Sequence, residues 1–94
     1  MKDNVKEFIK QSNKIIKNEN IKISNLHRQI GEYETVISIV SPNADSSLVD
    51  FYRKKINQCY IKLDEALDNI QHNKEIIATM RTVNKIISRG EKCA

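Results

Sequence analysis

Apolar residues recur along this chain in alternating steps of three and four, and this pattern constrains the fold more than any other feature. In the first half the series occupies Val5, Ile9, Ser12, Ile16, Glu19, Ile23, Leu26, Ile30, Tyr33, Ile37 and Val40. In the second half it occupies Val49, Tyr52, Ile56, Cys59, Leu63, Ala66, Ile70, Asn73, Ile77, Met80, Asn84 and Ile87. A period near 3.5, held over about five heptads in each half, is typical of long α-helices packed side by side. The sequence therefore predicts two long helices joined along this seam.

The segment between the two series, Ser41-Pro42-Asn43-Ala44-Asp45-Ser46, predicts a turn. Pro42 lacks a backbone donor and forces Ser41 away from the helical region, so the first helix must stop there. Asn, Asp and Ser provide side-chain acceptors that stabilise turns. Because the connection is short, we predict an all-α fold, an antiparallel two-helix hairpin that resembles a coiled coil.

Capping residues set the expected ends of both helices. Asn4 with Glu7, and Ser47 with Asp50, have the spacing of a capping box. Gly90 follows the last periodic residue, as expected of a C′ glycine. These ends predict a single domain over residues 1–94, with helix 1 at about 4–40, a turn at 41–46, helix 2 at about 47–89 and a tail at 90–94.

Composition agrees with helices and excludes several other classes. In 94 residues there are two Gly, one Pro, no Trp and 5% aromatics, too few turn formers for a β-sandwich or barrel. The apolar runs are too short for a membrane span, and the chain does not open on a signal peptide, so we expect the encoded protein to be the mature one. Two cysteines do not form a disulfide framework or a zinc site, which favours synthesis in the reducing cytoplasm.

A two-helix hairpin buries one stripe per helix, and the apolar residues of this chain exceed that stripe. Residues that flank the seam widen it: Phe8, Ile15, Val36, Leu48, Tyr60, Leu67, Ile76 and Val83. Five more lie farther round the helices: Ile21, Ile39, Phe51, Ile61 and Ile86. We predict that these five contact a helical partner, either a second copy in a homodimer or a different protein, which completes a four-helix bundle. A lone hairpin with an apolar back is the alternative.

The polar and reactive side chains do not form a recognisable catalytic or metal-binding pattern. His27 and His72 fall on different helices without a second His or Cys at i+3 or i+4, so we expect solvated histidines. Asp64, Glu65 and Asp68 lie between Lys62 and Lys74 as part of an ordinary charged helix face. The sequence has no Gly-rich phosphate loop and no nucleophile with a plausible base. We therefore predict that the protein is not an enzyme and takes no cofactor or metal.

Polar or sulfur-containing side chains also stand within the seam itself. Cys59 occupies a seam position and is predicted to be a buried, inert thiol. Four polar residues interrupt the seam: Ser12, Glu19, Asn73 and Asn84. Such residues fix register or partner choice in coiled coils, although near the open end of a hairpin they can simply face water.

The net charge of +4 and the pI of about 9.1 raise the question of nucleic-acid binding. The densest basic run is only Arg53-Lys54-Lys55, and acidic residues are interspersed throughout the chain. The basic residues therefore resemble solvated helix faces, and we expect no nucleic acid among the partners.

The turn and the start of helix 2 carry a resemblance to a known family. Small residues follow the turn, and an aromatic pair stands a few residues into helix 2: Ala44, Asp45, Ser46, Ser47, Leu48, Val49, Asp50, Phe51 and Tyr52. In this spacing, and in its two long helices of equal length, the chain resembles the W-x-G small helical hairpins of type VII secretion systems. Val40-Ser41-Pro42 stands in place of W-x-G, and the export motif Tyr-x-x-x-Asp/Glu is matched only by Tyr60 to Asp64, in mid-helix.

Without W-x-G, the chain is similar to the divergent helical partners encoded beside LXG-domain toxins. This resemblance implies a targeting partner or chaperone that packs on the helical N-terminal region of a larger secreted toxin, with export that needs no cleavable signal peptide. Pro42, Asn43, Leu48 and Tyr52 also resemble the turn of type III needle subunits, which implies a self-assembling structural subunit. The equal arms favour the type VII interpretation, and another coiled-coil adaptor remains an alternative.

Overall fold

The chain folds into two long α-helices, α1 (Asp3–Val40) and α2 (Ser46–Cys93). The computed structural model describes residues 3–40 and 46–93, with side chains described as far as residue 90. Every described residue is helical, and no strand occurs among them, which confirms the all-α two-helix fold. Residues 41–45 of the predicted turn lie outside the described part of the chain.

Both helices begin one residue before their predicted first residues. α1 begins at Asp3, and Asn4 lies inside the first turn, where its Oδ1 accepts a hydrogen bond from the backbone N–H of Val5 at 2.9 Å. α2 begins at Ser46, so Ser47, the predicted cap, is already helical. Helix ends commonly differ by a residue or two from the positions that capping patterns predict.

The predicted end of helix 2 at residue 89 is wrong, because α2 continues through Gly90 to Cys93. A C′ glycine adopts a positive φ, and Gly90 does not. Glycine inside a helix costs about 1 kcal/mol relative to alanine, which weakens a helix without ending it. The predicted tail at 90–94 is therefore helical as far as residue 93. The expected equality of the two arms is wrong for the same reason, since α1 has 38 residues and α2 has 48.

Contacts divide the chain into two compact units. The terminal unit combines Met1–Glu19 with Asp68–Ala94, and the turn unit is Asn20–Leu67. Each unit thus pairs a segment of α1 with a segment of α2. Neither helix, over its described residues, contains a stretch that is long and apolar enough to cross a membrane.

An apolar cluster forms the core of the turn unit. Leu26, Ile30 and Cys59 are buried together, and three half-buried residues pack against them: Tyr33, Ile56 and Leu63. The rings of Tyr33 and Tyr52 lie 5.9 Å apart between centroids, and the Cys59 thiol donates to Gln29 Oε1 at 3.7 Å. Later residues of α1 thus contact earlier residues of α2, so the two helices of this unit are antiparallel.

The core of the terminal unit mixes apolar and polar side chains. Its buried apolar residues are Val5, Ile70 and Ile77, and its buried polar residues are Ser12, Glu19 and Asn73. These three polar residues therefore do not face water, whereas Asn84 is half-buried. This core is therefore less apolar than that of the turn unit. Burial of polar side chains costs free energy unless they are hydrogen-bonded.

The burial pattern confirms the predicted seam. Every seam residue on α1, from Val5 to Val40, and on α2, from Val49 to Ile87, is buried or half-buried. In a heptad lettered a to g, the seam residues take positions a and d, with Ser12 and Asn73 at d. Positions g and c then lie on one side of each helix, positions e and b on the other, and f faces away from the seam.

Candidate partner-binding surfaces

The five residues predicted to bind a partner are all exposed, but they do not form one surface. The five residues are Ile21, Ile39, Phe51, Ile61 and Ile86. Ile86 belongs to the terminal unit, and the other four belong to the turn unit. Of those four, Ile39 and Phe51 both take position c, whereas Ile21 and Ile61 take position f. Within the turn unit, heptad positions therefore group Ile39 with Phe51 and separate Ile21 and Ile61 from them.

Ile39 and Phe51 lie beside two further apolar residues at the neighbouring g positions, Val36 and Leu48. We call these four residues the turn-unit patch. Ile39 is 70% exposed and Phe51 is 51% exposed, while Leu48 is exposed and Val36 is half-buried. The patch therefore presents apolar side chains from both helices on the g and c side of the turn unit.

Phe51 is held in place by its neighbours on α2. Its ring meets the edge of Tyr52 at 5.3 Å between centroids and an interplanar angle of 85°. The Lys55 ammonium lies 5.4 Å from the centroid of the Phe51 ring, within cation–π range. Tyr52 in turn packs on Tyr33 across the seam. The exposed aromatic ring is thus partly pre-ordered, which lowers the entropy cost of binding through it.

Ile21 and Ile61 stand among polar residues on the outer surfaces of their helices. The residues one turn away from Ile21 are Lys17, Asn18, Ser24 and Asn25, and those one turn away from Ile61 are Asn57, Gln58, Asp64 and Glu65. Single exposed apolar residues are ordinary on protein surfaces. Nothing in the structure therefore sets these two apart as contact residues.

The g and c positions of the terminal unit form an uncharged side. Its apolar residues are Phe8, Ile15, Ile76, Val83 and Ile86. No Lys, Arg, Asp or Glu occupies a g or c position within the described residues of this unit. Phe8, Ile15 and Ile86 are exposed. A depression of about 250 Å³ lies alongside Ile76, lined also by His72, Glu75, Thr79 and Met80.

The e and b positions of the terminal unit form a basic side. Its cations are Lys6, Lys10, Lys17, Lys74, Arg81 and Lys85. Asp3 is the acidic residue at these positions in the described part of the unit. A groove of about 360 Å³ opens here, lined by Asn13, Ile16, Lys74, Ile77, Ala78 and Arg81. The densest run of basic residues in the sequence is Arg53-Lys54-Lys55. A search for such runs misses this side, because its cations are dispersed along both helices.

The remaining side chains that could carry chemistry are the histidines and cysteines. His27 and His72 are both exposed. Among the residues that the structure describes, no group of three or more His, Cys, Asp or Glu is placed to hold a metal ion. Cys59 is 6% exposed, which confirms that this thiol is buried. Cys93 has no described side chain.

No protein-family model, curated protein or solved structure matches this chain. The class of the protein is therefore defined by its fold and surfaces: an α-helical hairpin with exposed apolar side chains concentrated at particular heptad positions.

Proposed function

We propose that the protein is a non-enzymatic binding partner that packs on helices of a larger protein. The turn-unit patch carries this proposal, because it places an aromatic ring and three aliphatic side chains at adjacent positions of two helices. Exposed apolar groups of this kind mark protein-binding surfaces, and aromatic residues supply much of the binding free energy at them.

The patch has the geometry that suits a partner helix. Val36 and Ile39 are three residues apart on α1, and Leu48 and Phe51 are three residues apart on α2, so each helix offers one pair on the same side. An amphipathic helix binds such a surface through apolar residues spaced three and four apart. A partner that contributes two such helices would complete the four-helix bundle predicted from the sequence.

The resemblance of residues 44–52 to the LXG-toxin partners supplies the biological setting that we propose. In that setting the protein is a targeting partner or chaperone of a type VII secretion system and docks on the helical N-terminal region of a larger secreted toxin. The two aromatic residues that carry the resemblance, Phe51 and Tyr52, have different roles in this protein. Tyr52 packs inward on Tyr33, and Phe51 remains outside in the turn-unit patch.

The charges beside the patch are of both signs. Lys55 and Lys62 occupy g positions of α2, whereas Glu32 and Glu65 occupy c positions on the same side of the unit. The resemblance to the LXG-toxin partners, and not the charge of this side, therefore favours a different protein over a second copy. A self-assembling subunit, as in the type III needle resemblance, is the alternative that the experiment below would detect.

The experiment compares two double variants with equal changes of charge and similar changes of hydrophobicity. Ile39→Lys with Phe51→Lys alters the patch, and Ile21→Lys with Ile61→Lys alters isolated residues of the same unit. Each protein is co-expressed with the helical N-terminal region of the toxin-like protein encoded by a neighbouring gene, and the dissociation constant is measured by calorimetry. The patch variant should bind at least about 30-fold more weakly, equivalent to about 2 kcal/mol.

The control variant should bind within about threefold of the unaltered protein, since it keeps the patch. Circular dichroism must show equal helicity for all three proteins. Equal weakening by both double variants, or full binding by the patch variant, would contradict the proposal. A protein that sediments alone as a dimer, and that dissociates when the patch is altered, would instead support self-assembly.

A further inference from the structure

The two sides of the terminal unit differ sharply in charge. The e and b side carries the Lys and Arg residues named above. The g and c side carries no Lys, Arg, Asp or Glu within the described residues. Among the side chains that the structure describes, the acidic residues of α2 in this unit, Asp68 and Glu75, take position f. Clustered charges of one sign raise the local concentration of oppositely charged partners. The basic side is therefore suited to an acidic ligand.

The groove on this side combines an apolar floor with a polar rim. Ile77 is buried, Ile16 is half-buried, and Ala78 exposes its methyl group on the rim. Lys74 and Arg81 line the α2 edge of the groove. They are seven residues apart, or about 10.5 Å along the helix. An α-helix with carboxylates spaced by seven residues would match this spacing.

We infer that the groove binds an acidic amphipathic α-helix of another protein. Apolar side chains of that helix cover Ile16, Ile77 and Ala78, and its carboxylates pair with Lys74 and Arg81. The groove belongs to the terminal unit and shares no residue with the turn-unit patch, which belongs to the other unit. The inference therefore adds a second binding surface to the proposed function and does not depend on it.

The apolar floor distinguishes an acidic helix from a nucleic acid. Phosphate groups would use the cations of the rim and gain nothing from contact with Ile16 or Ile77. The amphipathic helix uses both parts of the groove. A second copy of the basic side is also excluded as the occupant, because its cations would repel those already present.

The test uses a synthetic amphipathic peptide of about 21 residues, with a leucine stripe flanked by glutamates, and the matching peptide with lysines in place of the glutamates. Binding to the full chain is measured by fluorescence anisotropy at about 50 mM and about 200 mM salt. The acidic peptide should bind, more tightly at the lower salt concentration, and the basic peptide should not. Absence of binding by the acidic peptide would overturn the inference.

Two charge-reversed proteins locate the site. Lys74→Glu with Arg81→Glu alters the groove, and Lys54→Glu with Lys62→Glu makes the same change of net charge at exposed lysines of the turn unit. The groove variant should lose at least about tenfold in affinity for the acidic peptide, whereas the control should stay within about twofold. Equal losses in the two variants would mean that only net charge attracts the peptide, and would overturn the inference.

Ala78→Arg separates the acidic helix from a nucleic acid. The arginine occupies the groove but adds a cation, so it should weaken binding of the acidic peptide and strengthen binding of a short duplex DNA measured in parallel. Stronger binding of both ligands, or tighter binding of the duplex than of the peptide by the unaltered protein, would overturn the inference in favour of phosphate recognition. The variant Ile39→Lys with Phe51→Lys should keep its affinity for the peptide, which separates this test from that of the proposed function.

Discussion

Asn73 is a buried polar residue at a position where a coiled coil normally carries an apolar one. It is 6% exposed, and its Nδ2 donates to the carbonyl of Asn69 in its own helix at 2.8 Å. That bond compensates part of the cost of burying an amide, but it adds no attraction between helices. We therefore expect Asn73 to contribute less to stability than an apolar side chain would, as buried polar seam residues do in coiled coils.

Replacement of Asn73 by Leu should raise the free energy of unfolding by about 1 kcal/mol or more, because an apolar side chain then fills a buried seam position. Urea denaturation followed by circular dichroism measures the change. Asn69→Leu, at an exposed g position of the same helix, is the control and should change stability by less than about 0.5 kcal/mol. A lower stability of Asn73→Leu would mean that the buried amide is a net stabilising group.

Cys59 allows the packing of the turn unit to be measured at one atom. Its thiol is buried with Leu26 and Ile30 and donates to Gln29 Oε1. In a Cys93→Ser background, we expect Ellman's reagent to modify Cys59 at least about 100-fold more slowly in the native protein than in urea, because reaction requires local opening. Similar rates in the two conditions would show that this core is open to solvent.

Substitution of the two glycines tests whether the chain is helical at these positions. A Cβ added at Gly31 or Gly90 meets no atom within 4 Å, and neither residue has a positive φ. Gly31→Ala should therefore raise the free energy of unfolding by about 0.5 to 1 kcal/mol. Gly90→Ala should give a smaller gain, since helix ends fray. A lower stability of Gly90→Ala would instead indicate that Gly90 ends the helix as a C′ glycine, as the sequence predicts. The sign of the change in the free energy of unfolding, measured by urea denaturation, distinguishes the two.

At the level of helices, the sequence predicts where they lie better than where they end. The seam from Val5 to Ile87 follows directly from the spacing of apolar residues, since burial between two helices imposes that spacing. Helix ends depend on the balance of a few weak local preferences. Gly90 shows the difference, because the cost of a helical glycine is smaller than the stabilisation from continuing the helix.

At the level of the whole molecule, the two units have different cores. The turn unit is built on an apolar cluster, while the terminal unit buries Ser12, Glu19 and Asn73 beside its apolar residues. Amides near Leu26, Ile30 and Cys59 should therefore exchange with solvent at least about tenfold more slowly than those near Ser12 and Asn73. Hydrogen exchange followed by mass spectrometry measures both sets in one sample, and equal protection would contradict the difference in core stability.

The surfaces were predictable only in part, because they depend on two helices at once. Ile39 and Phe51 were selected as apolar residues outside the stripe, yet their association with Val36 and Leu48 follows from heptad positions in both helices. Ile21 and Ile61 satisfied the same sequence criterion and proved to be isolated. The basic side was missed because a search along the chain finds cations that are adjacent in sequence, whereas these cations are a turn or more apart and lie on both helices.

The unbroken alternation of three and four in the seam restricts how this protein can change in length during evolution. A single inserted residue in α1 would rotate everything beyond it by about 100° and turn the seam residues of that part away from α2. A whole added heptad would restore the rotation, but it would need a matching heptad in α2 to supply facing residues. Homologous chains should therefore vary in length by paired insertions of seven in the two arms, or within residues 41–45.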